Sequence, residues 1–251
     1  MPVKRKKTAV LITLAAVVAL IVVGAAALDG WARGHLADQI AQQVGLALDV
    51  GPEAPVTVEV GGFSVIAQLV AGRFDEVSVD VDRFDVGELT GTLRLAASGV
   101  PVDTTGPVDT VRVTFTVDQN GVQKALGGSS AEKVSLAANE IRVSSTTQLL
   151  GVRFSVGLGL QPSARDGQIV FTPTSVELDG TRTSSEELRG RFGALADTLL
   201  QVRSFCVARW LPEALTLDGA RVVDGRFVVS MGADRVILSG ALARLGSCPA
   251  G

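Results

Sequence analysis

One histidine, two cysteines and no tyrosine leave this 251-residue chain little with which to do nucleophilic, redox or metal chemistry. A Ser-His-Asp triad would have to use His35, the single imidazole. No Gly-x-Ser-x-Gly elbow accompanies it. His35 follows closely on a long apolar run, where a solvated or interfacial role is the simpler reading. Zinc, haem and iron–sulfur sites need clusters of His and Cys that the composition does not supply. Gly157-Leu158-Gly159 opens like a dinucleotide fingerprint, but Pro162 stands in place of the third glycine, and the flanking residues alternate like a strand. The densest titratable group is acidic: Asp75, Glu76, Asp80, Asp82, Asp85 and Glu88. Asp80 and Asp82 share one strand face and offer a carboxylate pair for calcium or for acid–base hydrolysis. EF-hand spacing is absent. As polar alternates of Val77, Val79 and Val81, these acids read more simply as a solvated sheet face. No catalytic residue, metal ligand or cofactor is assigned, and the chain reads as a non-enzyme.

Cys206 and Cys248 lie in the C-terminal fifth, too far apart for a redox Cys-x-x-Cys. In an oxidising compartment an isolated pair forms a disulfide; two buried thiols are the alternative. The bond would close a loop of roughly 40 residues and contribute ~3–4 kcal/mol through the unfolded state. The N-terminus points to the same compartment. Lys4, Arg5, Lys6 and Lys7 precede an uncharged run from Thr8 to Leu28, which at ~1.5 Å per residue spans about 30 Å, the depth of a hydrocarbon core. The positive-inside rule keeps the basic end in the cytoplasm. A signal-peptide apolar region is shorter, about 7–15 residues, so an uncleaved anchor is expected, with cleavage near Gly24–Ala27 as the alternative. The expected organisation is a cytoplasmic flank over 1–7, a transmembrane signal anchor over 8–28 and one extracytoplasmic domain over 29–251. Setting aside the four N-terminal basic residues leaves 19 of the 23 against 26 acids, a poor surface for nucleic acid.

The elements that must position these residues are mostly β. An amphipathic helix is expected over 31–48, with Leu36, Ile40 and Val44 on one face and Asp38, Gln39, Gln42 and Gln43 on the other. Val56–Val60, Val77–Val81, Val111–Val117 and Phe154–Leu160 alternate apolar and polar, as strands with one dry face do. Shorter strand patterns occur at 91–95, 134–136, 141–143, 169–171, 176–178, 215–217, 222–223, 227–230 and 236–238. Asn120-Gly121, Asp166-Gly167, Asp179-Gly180, Asp218-Gly219 and Asp224-Gly225 are expected as tight turns. Helical patches are expected at 63–70, as a single turn at 122–126, and over 185–202. In the last, Leu188, Phe192, Leu195 and Leu199 form a stripe, and Ser184 and Glu187 have capping-box spacing. There is no regular βαβ alternation, which disfavours a doubly wound fold. On patterning alone the alternating faces pack into an ordinary core; an apolar channel sized for acyl chains is the second outcome.

The order of these features resembles the LmeA family of actinobacterial envelope proteins. The likeness is carried first by the basic N-terminus, the apolar segment and the amphipathic helix over 33–48. Then come Val56-Thr57-Val58-Glu59-Val60-Gly61-Gly62-Phe63 and Gln68-Leu69-Val70-Ala71-Gly72-Arg73-Phe74-Asp75-Glu76-Val77-Ser78-Val79. These are similar to the family's strand, Gly-x-Phe turn, short apolar helix and following strand entry. Leu211-Pro212 through Leu215, Val222–Val229 and Val236–Leu238 resemble its closing strands.

The resemblance implies an α+β, predominantly antiparallel β fold of the tubular lipid-binding kind: an elongated curved sheet wrapped around a long amphipathic helix. It also implies phospholipid binding in the cell envelope rather than catalysis. On that reading acyl chains lie against Val77, Val79, Val81, Val113, Phe115, Phe154, Val156 and Leu158. Arg73, Arg83 or Arg153 would reach a head group, although each is more simply a solvated strand-edge residue. The expected partners are phospholipid and, through the N-terminal helix, the membrane itself. Two rival readings remain: an adaptor with a filled core that holds an envelope enzyme by its sheet edge, and a glycosidase or esterase built on the acidic cluster.

Overall fold

A computed structural model describes residues 56–62, 65–86, 88–103, 106–126, 133–137, 139–149, 152–237 and 244–249. The anchor expected at 8–28, the helix expected at 31–48 and His35 lie outside the described residues. Among the described residues no helix is long and apolar enough to cross a membrane.

Two antiparallel sheets make the architecture. The first runs in the order β1 (Val56–Val60), β2 (Arg73–Val86), β3 (Leu89–Pro101), β4 (Val108–Asp118), β12 (Arg226–Val236), β11 (Thr216–Val223). The second runs β10 (Arg203–Cys206), β8 (Gln168–Leu178), β7 (Val152–Arg165), β6 (Glu140–Leu149), β5 (Lys133–Ala137), with β9 (Thr181–Ser184) also paired to β8. Among the described residues neither sheet closes into a barrel. Period-two alternation explains the first sheet directly, because matched registers stack the apolar residues into transverse rows. Val58, Val79, Leu95, Val113 and Met231 form one row, and Val56, Val81, Leu93, Phe115 and Val229 the next. The second sheet adds Val134, Leu136, Ile141 and Ile169 to the same buried cluster. Strand β11 lies against β7, and the Val222 amide donates to Asn139 Oδ1 (3.3 Å) in the turn between β5 and β6.

The helices are short. Helix α1 (Val65–Val70) bridges β1 and β2, held by buried Gln68, which donates to the Gly61 carbonyl (2.9 Å) and accepts from the Asp75 amide (2.8 Å). Helix α2 (Gln119–Leu126) follows β4. The single helix expected over 185–202 is instead two, α3 (Ser185–Phe192) and α4 (Ala194–Leu199), broken at Gly193 with φ 50°. Ser184 caps α3 as its spacing implied, its Oγ accepting from the Glu187 amide (3.1 Å). Residues 203–206, where the sequence patterning predicts no element, form edge strand β10.

Three of the expected Asp-Gly turns are two-residue hairpin turns with positive φ at both positions: Asp166-Gly167, Asp179-Gly180 and Asp224-Gly225. The other two differ. Asp218-Gly219 is a β-bulge inside β11, where the register with β12 shifts between Leu217 and Gly219. Asn120-Gly121 lies inside α2, and its glycine answers to packing. A Cβ on Gly121 would stand 2.6 Å from the Thr90 carbonyl oxygen and 2.7 Å from Val117 Cγ1. Alanine gains ~1 kcal/mol of helix propensity there, but overpacking against backbone costs typically ~1–3 kcal/mol. Gly121→Ala is therefore expected to lower the denaturant midpoint of unfolding despite the better helix former.

Candidate lipid-binding face

The eight residues expected to line a groove fall on two sheets. Val77, Val79, Val81, Val113 and Phe115 stand on one face of the first sheet, in adjoining rows, and all are buried in the core cluster. The Phe84 ring meets Phe115 edge-on, with centroids 6.3 Å apart, at the β2–β3 end of that face. Phe154, Val156 and Leu158 are on β7 of the second sheet. Phe154 faces Thr147 across the ladder; Val156 faces Ser145 and Leu178; Leu158 faces Val143 and Val176.

Along β7 the dry face changes character. Leu160, beside buried Ile141, packs against the core. Leu158 is half-buried. Val156 is 37% exposed and its cross-strand neighbour Leu178 is 56% exposed. The second sheet thus carries one apolar face out of the core toward solvent. Leu178 stands outside the eight expected lining residues. Its signal was the alternation Val176–Leu178 ending in the Asp179-Gly180 turn, which places it opposite Val156.

The opposite face of the second sheet holds a polar cluster that sequence reasoning missed. Glu140, its side chain only 11% exposed, is paired with Arg182 (2.5 Å) and Arg142 (3.0 Å) and accepts from Thr174 Oγ1 (2.5 Å). Burial, the largest single influence, pushes its carboxyl up; the hydrogen bonds from Thr174, Arg182 and Arg142 together with the Arg182 charge outweigh it and hold the carboxyl below its ordinary value. Gly159 makes room for this group, since a Cβ there would lie 3.0 Å from Glu140 Oε1 and 2.5 Å from Ser175 Oγ. Gly157-Leu158-Gly159 therefore sits mid-strand, one of its glycines placed by a carboxylate rather than a nucleotide. The pointer in the sequence was a glycine inside an otherwise regular strand.

The acidic cluster has other uses. Asp80 binds the Arg94 guanidinium (2.5 Å) across the β2–β3 pair, and Asp85 Oδ1 accepts from Thr90 Oγ1 (2.6 Å). Among the described residues no group of three or more His, Cys, Asp or Glu is placed to hold a metal ion. Of the arginines considered for a head group, Arg73 pairs with Asp109 (2.5 Å), and Arg83 and Arg153 are exposed. Cys206 and Cys248 are joined in a disulfide.

The model of the LmeA-like phospholipid-binding family matches residues 24–231, a span that includes all eight candidate lining residues and Cys206 but not Cys248. No curated protein and no solved structure matches the chain. The family match covers most of the sequence, and the chain belongs to the LmeA-like phospholipid-binding family.

Proposed function

We propose that this protein is a non-catalytic, membrane-anchored phospholipid-binding protein of the cell envelope, with its β domain outside the cytoplasm. The observation that carries the reading is the apolar face of the second sheet, which runs from buried Ile141 through Leu158 to exposed Val156 and Leu178. Acyl chains laid along that face are stabilised by ~0.8 kcal/mol per buried CH₂ and need no specific polar contact. Val77, Val79, Val81, Val113 and Phe115 form the deep wall of the same core. The uncharged run behind Lys4–Lys7 supports the anchor, and the Cys206–Cys248 bond supports an oxidising compartment.

The test is lipid analysis of the detergent-washed full chain beside a Val156→Asp/Leu178→Asp variant. Mass spectrometry is expected to find retained phospholipid in the parent chain and at least about tenfold less in the variant, since acyl chains laid on this face would bury two charges at a cost of several kcal/mol. Lipid merely surrounding an anchor follows both chains equally. Equal retention, or none in either, overturns the reading in favour of an adaptor with a filled core.

A further inference from the structure

We propose that the corner formed by β10 and the turn after it is a docking surface for an anionic phospholipid bilayer. It rests on the lipid-binding reading for its choice of partner and adds a second, external contact to it. Phe205 is the centre. It pairs with Ile169 on β8, which is buried in the core, so the two side chains share the dry face of the sheet. Phe205 itself is 51% exposed. Here the core face reaches the sheet's edge and opens to solvent a second time, at the end of β8 far from Leu178.

What gathers at this edge has the chemistry of a bilayer interface. The Trp210 ring stacks on Phe205 with centroids 5.0 Å apart, and the Arg209 guanidinium lies 4.1 Å from the Trp210 ring. Neighbouring Val202 and Arg203 are exposed. Aromatic rings with an apolar body and a polar tip settle at head-group depth, and an arginine held over them keeps its charge for phosphate. The charge is complementary. No acid occurs between Asp197 and Glu213, whereas the whole chain carries a net −3. In the adjoining turn Arg165 and Asp166 offset each other, leaving Arg203 and Arg209 to set the sign.

The corner is also held rigidly. The Val207 and Ala208 amides both donate to the Gly167 carbonyl (3.0 and 2.9 Å), and the Cys206–Cys248 bond fixes its base. A preformed patch loses little conformational freedom on contact. A two-fold pairing of this corner with the same corner of a second copy would bring like charge to like charge at Arg203 and Arg209, which disfavours that occupant.

The chain has two tryptophans, so Trp31→Phe leaves Trp210 as the sole reporter. The full chain carrying Trp31→Phe is mixed with phosphatidylcholine vesicles containing about a third phosphatidylglycerol, with or without brominated acyl chains. Brominated vesicles are expected to quench and blue-shift Trp210 emission, and high salt to reverse part of the effect. Adding Arg203→Glu and Arg209→Glu is expected at least to halve the quenching, because each arginine near an anionic surface is worth roughly a fivefold change in binding. Identical emission with and without bromine overturns the proposal. So does quenching that is equal in pure phosphatidylcholine and untouched by the Arg→Glu changes, which would report lipid carried inside. Phospholipid retained by the washed chain is measured in parallel. Retention that depends on Val156 and Leu178 but comes without quenching refutes docking alone, and quenching without such retention refutes the proposed second-sheet face alone.

Discussion

A chain carrying Cys206→Ser and Cys248→Ser is expected to lose about 4 kcal/mol of stability. The sequence separation of 42 residues sets the figure, because cross-linking a loop of that length removes a large share of the unfolded chain's freedom. Among the described residues the other ties on the far end are few and exposed. Residues 244–249 are tied by the Gly246 amide to the Leu211 carbonyl (2.9 Å), by the Glu213 amide to the Arg244 carbonyl (2.8 Å), by the Arg244–Glu213 ion pair (3.3 Å) and by an isolated bridge between Pro212 and Leu245. Leu245 is exposed, so burial adds little. The bond joins β10 of the second sheet to the chain beyond β12 of the first, and the closed loop encloses the whole β11–β12 hairpin. Guanidinium unfolding with and without reductant checks it. The midpoint should fall on reduction, and the serine variant should match the reduced parent. A loss under about 1 kcal/mol would mean the unfolded loop is already restrained without the bond.

Glu140→Ala carries the second large effect, a loss of about 2–3 kcal/mol. Removing one partner of a buried ion pair typically costs ~3–5 kcal/mol, and the figure is reduced here because Arg142 and Arg182 are partly exposed and water screens them. The remaining penalty is two guanidiniums left beside each other and a Thr174 hydroxyl without its acceptor. The pH dependence has a definite sign. The folded carboxyl is held below its ordinary value of ~4.3, so its contribution is fully present above that pH and is lost as pH falls through the lower, folded value. Stability measured from pH 6 down to about pH 3 should therefore fall more steeply in the parent chain than in Glu140→Gln. Parallel curves would show that the pair stabilises nothing.

The β character was legible because alternation has one physical meaning wherever a sheet has one dry face. Val77–Val81 and Val111–Val117 sit where period two put them. Two failures on β8 and α3–α4 have separate causes. In β8 the apolar residues change phase, from Ile169, Phe171 and Pro173 to Val176 and Leu178. The register with β7 shifts between Gly159 and Leu160, which leaves Thr174 as an extra residue and restores one face to both halves. Read as two short strands, the segment concealed the Val156–Leu178 pair. In the expected 185–202 helix, the apolar stripe spans Gly193, and periodicity does not register a single residue at positive φ. The polar cluster was harder still, since Glu140, Arg182 and Thr174 are brought together only by sheet registers across distant parts of the chain. Alternation identifies a dry face, such as that of Val77–Val81, but not where along it the core ends.

The short helix after β4 has a consequence for how the protein behaves in a crowded envelope. Among the described strands β5 is the outermost of its sheet, and an open edge is a template on which a neighbouring chain can add a strand. Helix α2 turns its glutamines onto that edge. Gln123 Oε1 accepts from the Val134 amide (2.6 Å) and Gln119 Oε1 from the Leu136 amide (3.4 Å). Two side-chain carbonyls thus occupy the donors that an incoming strand would need. A valine-rich sequence with long, regular strands is the kind that grows into aggregates, and at this border the growth is stopped by the molecule's own amides.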